Sequence, residues 1–284
     1  MRLLLCAFGC IFIADGARDL EFSRKLSDRM KSMTLSVVIP AYNEERRLSS
    51  TLDAIFAWLD ANSYRDAELL VVDDGSRDST ADLVAARAKS DVRLRLLRNP
   101  GNRGKGYAVR HGMLEAQGDW ILMSDADLSA PIAELPKLME AAASKNAPIA
   151  IGSRALDRSL IGVRQPQGRE LSGIVFNRVM RIVTGLPYAD TQCGFKLYRR
   201  DAAREIFPRQ LLDGFGFDVE DLVIAKCLGF TAVEVPVRWN NVEGTRVSLV
   251  QGVRSFGELA EIRWNALRGF YSPKRQHVDQ RAEV

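Results

Sequence analysis

The chain of 284 residues is 46% apolar and 27% charged, which suits a soluble globular protein of one large α/β domain or two small ones. A formal net charge of +4 is too mild for a nucleic-acid binder, whose footprint is a concentrated basic stripe. Four cysteines (Cys6, Cys10, Cys193, Cys227) show neither metal-ligand spacing nor a disulfide framework, which favours a reducing compartment. Two histidines, His111 and His277, argue against a histidine-based zinc site or a Ser-His-Asp triad.

Residues 1–32 read as a leader outside the fold. Arg2 precedes an apolar run, Leu3–Ile13, whose 11 residues are too few to cross a bilayer as a helix. Three readings stand: a dispensable segment ahead of a start at Met30 or Met33, a membrane-surface anchor, or an export signal with a poor cleavage pattern. A compact domain is expected over 33–245, an amphipathic helix over 246–272 and a polar tail over 273–284.

Leu35–Ile39 is a β-branched run closed by Pro40, hence a buried strand. Glu44 and Glu45 then open a helical pattern with apolar positions at Leu48, Leu52, Ile55, Phe56 and Leu59. Glu68–Val72 is a second strand, stopped by Asp73, Asp74, Gly75 and Ser76, and Asp78 is placed to cap a helix holding Leu83 and Val84. Val92–Leu97 is a third strand, and a helix from about Lys105 to Gln117 leads to a fourth, Trp120–Met123. Ala147–Gly152 is another strand, Gln167–Gly185 an amphipathic helix, and Asp190–Tyr198 a turn entering a strand. Phe217–Gly229 reads as a helix opening with Asp218, Glu220 and Asp221. Thr231–Trp239 alternates Val233, Val235, Val237 and Trp239 on one face, as an edge or half-exposed strand does. From Ser248 to Tyr271 a stripe recurs (Leu249, Val253, Phe256, Ala260, Trp264, Leu267, Tyr271) among arginines. It suits either a helix docked on the core or one lying on an anionic membrane.

Strands alternating with helices predict βαβ units and a mainly parallel central sheet with helices on both faces. Ligands of such sheets bind beyond the carboxyl ends of the strands. Four loops collect there: Pro40–Glu45, Asp73–Asp78, Asn99–Lys105 and Asp125–Ser129. Five or more carboxylates on one rim repel one another, and a metal with a diphosphate would relieve that. In an extended segment Asp125 and Asp127 would point the same way, offering two hard oxygen ligands to Mg²⁺ or Mn²⁺ that substrate phosphates complete. Such a pair is a weak signal alone. Asn99–Gly106, NPGNRGKG, fails as a P-loop because Gly106 follows the lysine. It is either a glycine-rich turn or a loop that turns Arg103 and Lys105 to phosphate or ribose.

Six segments taken together, SVVIPAYNEE, VVDDGSRDST, NRGKGYAVRHGM, MSDADLSAPI, GSR and DTQCGFKLY, resemble family 2 glycosyltransferases of the GT-A nucleotide-diphospho-sugar transferase fold. The likeness covers Leu35 to about Tyr271 and leans toward the dolichyl- and polyprenyl-phosphate β-glucosyltransferases. It implies that Pro40, Tyr42, Glu44, Asp73, Asp74, Lys105 and the Asp125–Ala126–Asp127 segment bind the nucleotide sugar, with Asp74 on the uracil. Asp125 and Asp127 would hold the metal. It further implies that Arg154 and Arg169 approach phosphates of donor or acceptor, and that Arg246 stands where the family usually has a lysine facing the acceptor phosphate.

The implied reaction moves glucose from UDP-glucose to a dolichyl or polyprenyl phosphate with inversion, at the cytoplasmic face of a membrane or in the cytoplasm. The alternatives are GDP-mannose with the same lipid, a soluble hydroxyl acceptor with Asp218 or Asp221 as base, or a nucleotide-sugar-binding protein without catalysis. Asp190, Asp218, Glu220 and Asp221 could otherwise order arginines or cap a helix.

Overall fold

A computed structural model describes residues 33–163, 167–242 and 249–273, with backbone alone for 167–172 and 249–255. The readings of residues 1–32 and of the tail beyond 273 lie outside the described residues, as does Arg246. The side chain of Arg169 does too.

Seven strands form one sheet: β1 (Leu35–Ala41), β2 (Glu68–Asp73), β3 (Leu94–Arg98), β4 (Trp120–Ser124), β5 (Ile149–Ser153), β7 (Phe195–Arg199) and β8 (Ala232–Pro236). Their spatial order is β3-β2-β1-β4-β7-β5-β8, and only β7 runs antiparallel to its neighbours. Two short strands, β6 (Ile161–Val163) and β9 (Trp239–Asn240), pair separately. The helices are α1 (Leu48–Ala61), α2 (Thr80–Ala88), α3 (Lys105–Glu115), α4 (Leu135–Ser144), α5 (Gln167–Thr184), α6 (Arg200–Ile206), α7 (Phe217–Cys227) and α8 (Leu249–Leu267).

The central strands are apolar along nearly their whole length because helices cover both faces of a parallel sheet. Every residue of β4 and β5 is buried. β8 lies at the sheet edge, as its alternating pattern predicts. The order reverses at β1, with β2 and β3 on one side and β4 on the other. In an open α/β sheet that reversal opens a crevice beyond the strand ends. Because β7 runs the other way, its start meets the end of β4, with Phe195 opposite Ser124. The Asp190–Gly194 turn is thereby delivered to the same rim.

Two helices carry outward apolar surface. α5 packs through Phe176, Met180 and, past its end, Leu186, leaving Ile174, Val175 and Ile182 exposed. α8 docks through Leu259 and Ile262, with Tyr271 buried beyond its end. Phe256, Trp264 and Leu267 face outward, Trp264 being 54% exposed and Leu267 65%. Of the described members of the stripe, Phe256, Ala260, Trp264 and Leu267 are exposed and Tyr271 is buried; the side chains of Leu249 and Val253 lie outside the described residues. The two helices touch through Phe176 and Phe256, edge to face at 5.3 Å.

Candidate active site

Four loops meet beyond the ends of β1, β2, β3 and β4, and backbone-to-side-chain bonds lace them together. The β1 loop ties to the β2 loop through Asn43 N–H on Ser76 Oγ (2.9 Å), Arg77 N–H on Asn43 Oδ1 (2.7 Å) and Glu44 N–H on Thr80 Oγ1 (2.7 Å). Asn43 adopts a positive φ of 55° to make this turn. The N-cap of α2 is Ser79, without a side-chain cap, and not Asp78 as the sequence suggests; Asp78, one residue earlier, accepts the Thr80 amide on Oδ1 at 3.0 Å.

Most rim carboxylates are taken up within the protein, so relief of their repulsion does not require a ligand everywhere. Glu44 pairs with Arg47. Buried Asp74 accepts Asn99 Nδ2 (2.8 Å) and the amides of Arg103 (3.0 Å) and Gly104 (2.8 Å), which shapes the NRGKG loop. Gly104 has φ 114°, and a Cβ there would meet Asp213 O at 2.3 Å. Asp73, one residue earlier, accepts the Ser76 amide through long 3.3 Å contacts. Its carboxylate is the less committed of the two.

Asp125 and Asp127 do not extend β4. Leu128 N–H closes a turn on Asp125 O at 3.2 Å, and Leu128 sits at φ 48°, a conformation that costs a β-carbon-bearing residue energy and is found preferentially at functional sites. The pair therefore reaches the crevice from a tight turn, not from the extended segment that the spacing suggests. Three contacts fix it: Thr51 Oγ1 donates to Ala126 O (2.7 Å), Asp125 N–H to Gly194 O (3.0 Å), and Ser129 N–H to Asp127 Oδ1 (2.9 Å). Gly194 admits the Asp125 carboxylate, since a Cβ there would stand 1.9 Å from Oδ2.

Lys105, the first residue of α3, lies with Nζ 2.7 Å from Asp125 Oδ1 and near the rings of Phe215 and Phe217. Burial works against its charge, yet the fields of Asp125, Asp218 and Asp127 more than offset it and hold the ammonium protonated well above the usual lysine range. At 2.7 Å the contact is a charge-assisted ion pair, and Oδ1, covered from solvent, has no partner among the described residues besides the ammonium. Among the described residues no group of three or more His, Cys, Asp or Glu side chains is arranged to hold a metal ion. A divalent ion would therefore take Asp125 and Asp127 as its protein ligands and draw the rest from water and a substrate, the habit of Mg²⁺. The residues fit such an ion.

Arg154, just past β5, is gripped by Asp190 in a fork: Nε to Oδ2 at 2.7 Å and Nη2 to Oδ1 at 2.9 Å, with its own amide 3.0 Å from Oδ2. Burial raises the Asp190 carboxyl, but the guanidinium outweighs that and holds it below the usual carboxylate range. Glu234 accepts the Ala189 and Asp190 amides (2.9 and 2.8 Å) and so fixes the loop that carries the fork. Ordering an arginine is one of the two roles the sequence leaves open for Asp190.

Behind the site lies a sealed ionic cluster. Lys196, fully buried on β7, donates to Asp218 Oδ1 and O (both 2.7 Å) and to Asp221 Oδ2 (3.2 Å). Tyr198 also donates to Asp221 Oδ2. Burial, against Lys196, pushes the Asp221 carboxyl up to about 6. Glu220 accepts the amides of Leu211 (3.0 Å) and Leu212 (2.9 Å) and the Tyr271 hydroxyl (2.7 Å), and burial lifts it to about 7. Asp221 is enclosed by these partners and cannot serve a substrate as base. Lys196 is the member that the sequence does not reveal.

The structure thus brings Asp125, Asp127 and Lys105 together, with Arg154 on Asp190 across the β4–β7 join. Pro40, Tyr42, Glu44, Asp73 and Asp74 lie on the β1 and β2 side. This arrangement is the GT-A fold. Solved structures share it at the level of fold: glucosyl-3-phosphoglycerate synthase from Mycobacterium tuberculosis, crystallised with Mg²⁺ and uridine diphosphate, superposes with a TM-score of 0.62. It is 20% identical, over 85% of this chain and 83% of that one. Residues 36–207 match the model of glycosyl transferase family 2, and the chain belongs to that family and is a glycosyltransferase. A dolichyl-phosphate beta-glucosyltransferase of Drosophila melanogaster is 39% identical over 76% of this chain and 70% of its own length. The human protein of that name is 35% identical over 75% and 69%.

Proposed function

We propose that the chain transfers glucose from UDP-glucose to a dolichyl or polyprenyl phosphate, with inversion, at a membrane surface and with Mg²⁺ or Mn²⁺ held by Asp125 and Asp127. The names of relatives 35–39% identical favour this donor sugar and acceptor. The observation that carries the lipid half is the outward face of α5 and α8. Ile174, Val175, Ile182, Phe256, Trp264 and Leu267 lie exposed beside Arg178, Arg181, Arg263 and Arg268. A concavity lined by Arg178, Arg181, Ile182, Gly185 and Leu186 marks the end of α5. Apolar side chains rimmed by arginine suit an anionic bilayer surface, where a lipid phosphate is presented. Among the described residues no helix is long and apolar enough to cross a membrane.

A bound divalent ion would neutralise charge on the departing diphosphate. The protein's own part is positional. The Asp125–Leu128 turn, pinned by Thr51 and Gly194, presents the two carboxylates. The Arg154–Asp190 fork holds a guanidinium near the Asp125 side of the crevice for a phosphate. Asp73, with its lightly used carboxylate, is the better candidate than Asp74 for the nucleotide's base. A phosphate monoester with a second pKa of ~6 is largely dianionic at neutral pH, so it attacks without a general base. That removes any need for Asp218 or Asp221 to accept a proton. Incubation with UDP-glucose, other nucleotide sugars, Mg²⁺ and a short polyprenyl phosphate, read by mass, should give the glucosyl lipid from UDP-glucose. Product from GDP-mannose alone, or only on soluble hydroxyl acceptors, would overturn the reading.

A further inference from the structure

The resemblance turns Lys105 toward the nucleotide sugar, yet its ammonium stands 2.7 Å from Oδ1 of Asp125, one of the two carboxylates that would hold the metal. A monovalent and a divalent cation on one carboxylate oxygen repel strongly, and more so where burial excludes water. The rings of Phe215 and Phe217, 5.9 and 5.7 Å from Nζ, close the lysine's surroundings. The backbone on either side of it is packed closely: a Cβ on Gly104 would meet Asp213 O at 2.3 Å, and one on Gly106 would meet Leu212 O at 2.5 Å. An ammonium expelled from Asp125 in this pocket needs another anion at once. Asp218 is the nearest acid of the sealed cluster to act on it, but Asp218 is already held by Lys196 at 2.7 Å.

We infer that Lys105 is the resident counter-ion of Asp125, which a divalent cation must displace, so that metal and nucleotide diphosphate bind cooperatively. The diphosphate supplies both missing parts: oxygen ligands for the metal and an anionic partner for the released ammonium. Metal alone meets an occupied carboxylate and binds weakly. With Lys105 removed, the oxygen is open and metal binds without help. Lys105 is then a positioning residue that suppresses metal loading until the donor arrives. By linkage the metal tightens nucleotide binding by the factor that the nucleotide tightens metal binding. This inference rests on the metal-dependent reading of Asp125 and Asp127 given above.

The test is direct Mn²⁺ binding, followed by the electron paramagnetic resonance signal of free Mn²⁺, with and without UDP and with no sugar transfer involved. The full chain should bind Mn²⁺ at least tenfold more tightly when UDP is present. Lys105→Met should bind Mn²⁺ alone at least tenfold more tightly than the parent and gain less from UDP, whereas Lys105→Arg should keep the parent's weak binding. If Lys105→Met fails to fold by circular dichroism, Lys105→Gln, which keeps a donor without the charge, makes the same comparison. Equal or weaker Mn²⁺ binding by the folded neutral variants would overturn the counter-ion role alone. Absence of Mn²⁺ binding by every form, even with UDP, would overturn it together with the metal-dependent reading.

Discussion

Two groups of carboxylates lie close together in this molecule and have opposite fates. Asp125 and Asp127 stand on a strained turn at the crevice, held by a few backbone contacts and faced by a single lysine. Asp218, Glu220 and Asp221 lie on the first turns of α7, are 3% exposed or less, and have their oxygens filled by Lys196, Tyr198, Tyr271 and backbone amides. Residue type is the same in both. What separates a binding site from a structural anchor is who satisfies the oxygens, the protein or something still to come.

The contrast is sharpened by breaking each group. Lys196→Met removes the buried ammonium that bridges Asp218 and Asp221 and should cost about 3–5 kcal/mol of stability in urea unfolding, the usual toll of an uncompensated buried charge. Asp127→Asn leaves the fold alone; its urea midpoint should stay close to the parent's. Its kcat should fall by about 100-fold or more, the effect of losing several kcal/mol of charge stabilisation in the transition state. A stability loss in the second variant and none in the first would erase the distinction.

The sealed group also predicts a pH dependence. Glu220 titrates at about 7 in the folded chain against an ordinary 4.5, so the folded state holds its proton while the unfolded state releases it. Stability is therefore full below ~4.5 and declines as pH rises toward 7, by up to about 3 kcal/mol from this group. Asp221 acts in the same direction over a lower window. Melting temperatures from pH 5 to 8 should fall more steeply for the parent than for Glu220→Gln; identical slopes would contradict the assignment. The smallest effect expected is at the outward face. Neutralising both Arg178 and Arg181 to Gln should weaken binding to phosphatidylserine vesicles by about 2 kcal/mol, near 30-fold, at ~1 kcal/mol per basic residue. Turnover on a soluble short-chain acceptor should change little.

Much of this was legible in the chain because local pattern and local chemistry agree there. The strands ending at Ala41, Asp73, Ser124 and Ser153 announce themselves by continuous apolar runs stopped by polar residues. The acidic turn and the GSR arginine follow at once. What the sequence hid is pairing across distance: Arg154 with Asp190, 36 residues on, and Lys105 with Asp125. Lys196 is the instructive case. Between Phe195 and Leu197 it sits at the polar step of a period-two pattern, which reads as solvent-facing. The sheet is covered on both faces, so that step points into the core and must bring its own counter-ions. Helix α4 is absent from the sequence-derived elements although Leu135, Leu138, Met139 and Ala142 recur at helical spacing. Helix α6, at 7 residues, is too short to show a period.

Metal-assisted transfer to a lipid phosphate can be put to a single titration. The chain, stripped with chelator, is given UDP-glucose and polyprenyl phosphate, and glucosyl lipid is followed by mass as Mg²⁺ or Mn²⁺ is restored. Product should be absent in chelator and appear in proportion to metal bound. Formation of the glucosyl lipid at the same rate in chelator as in metal would contradict a metal role for Asp125 and Asp127.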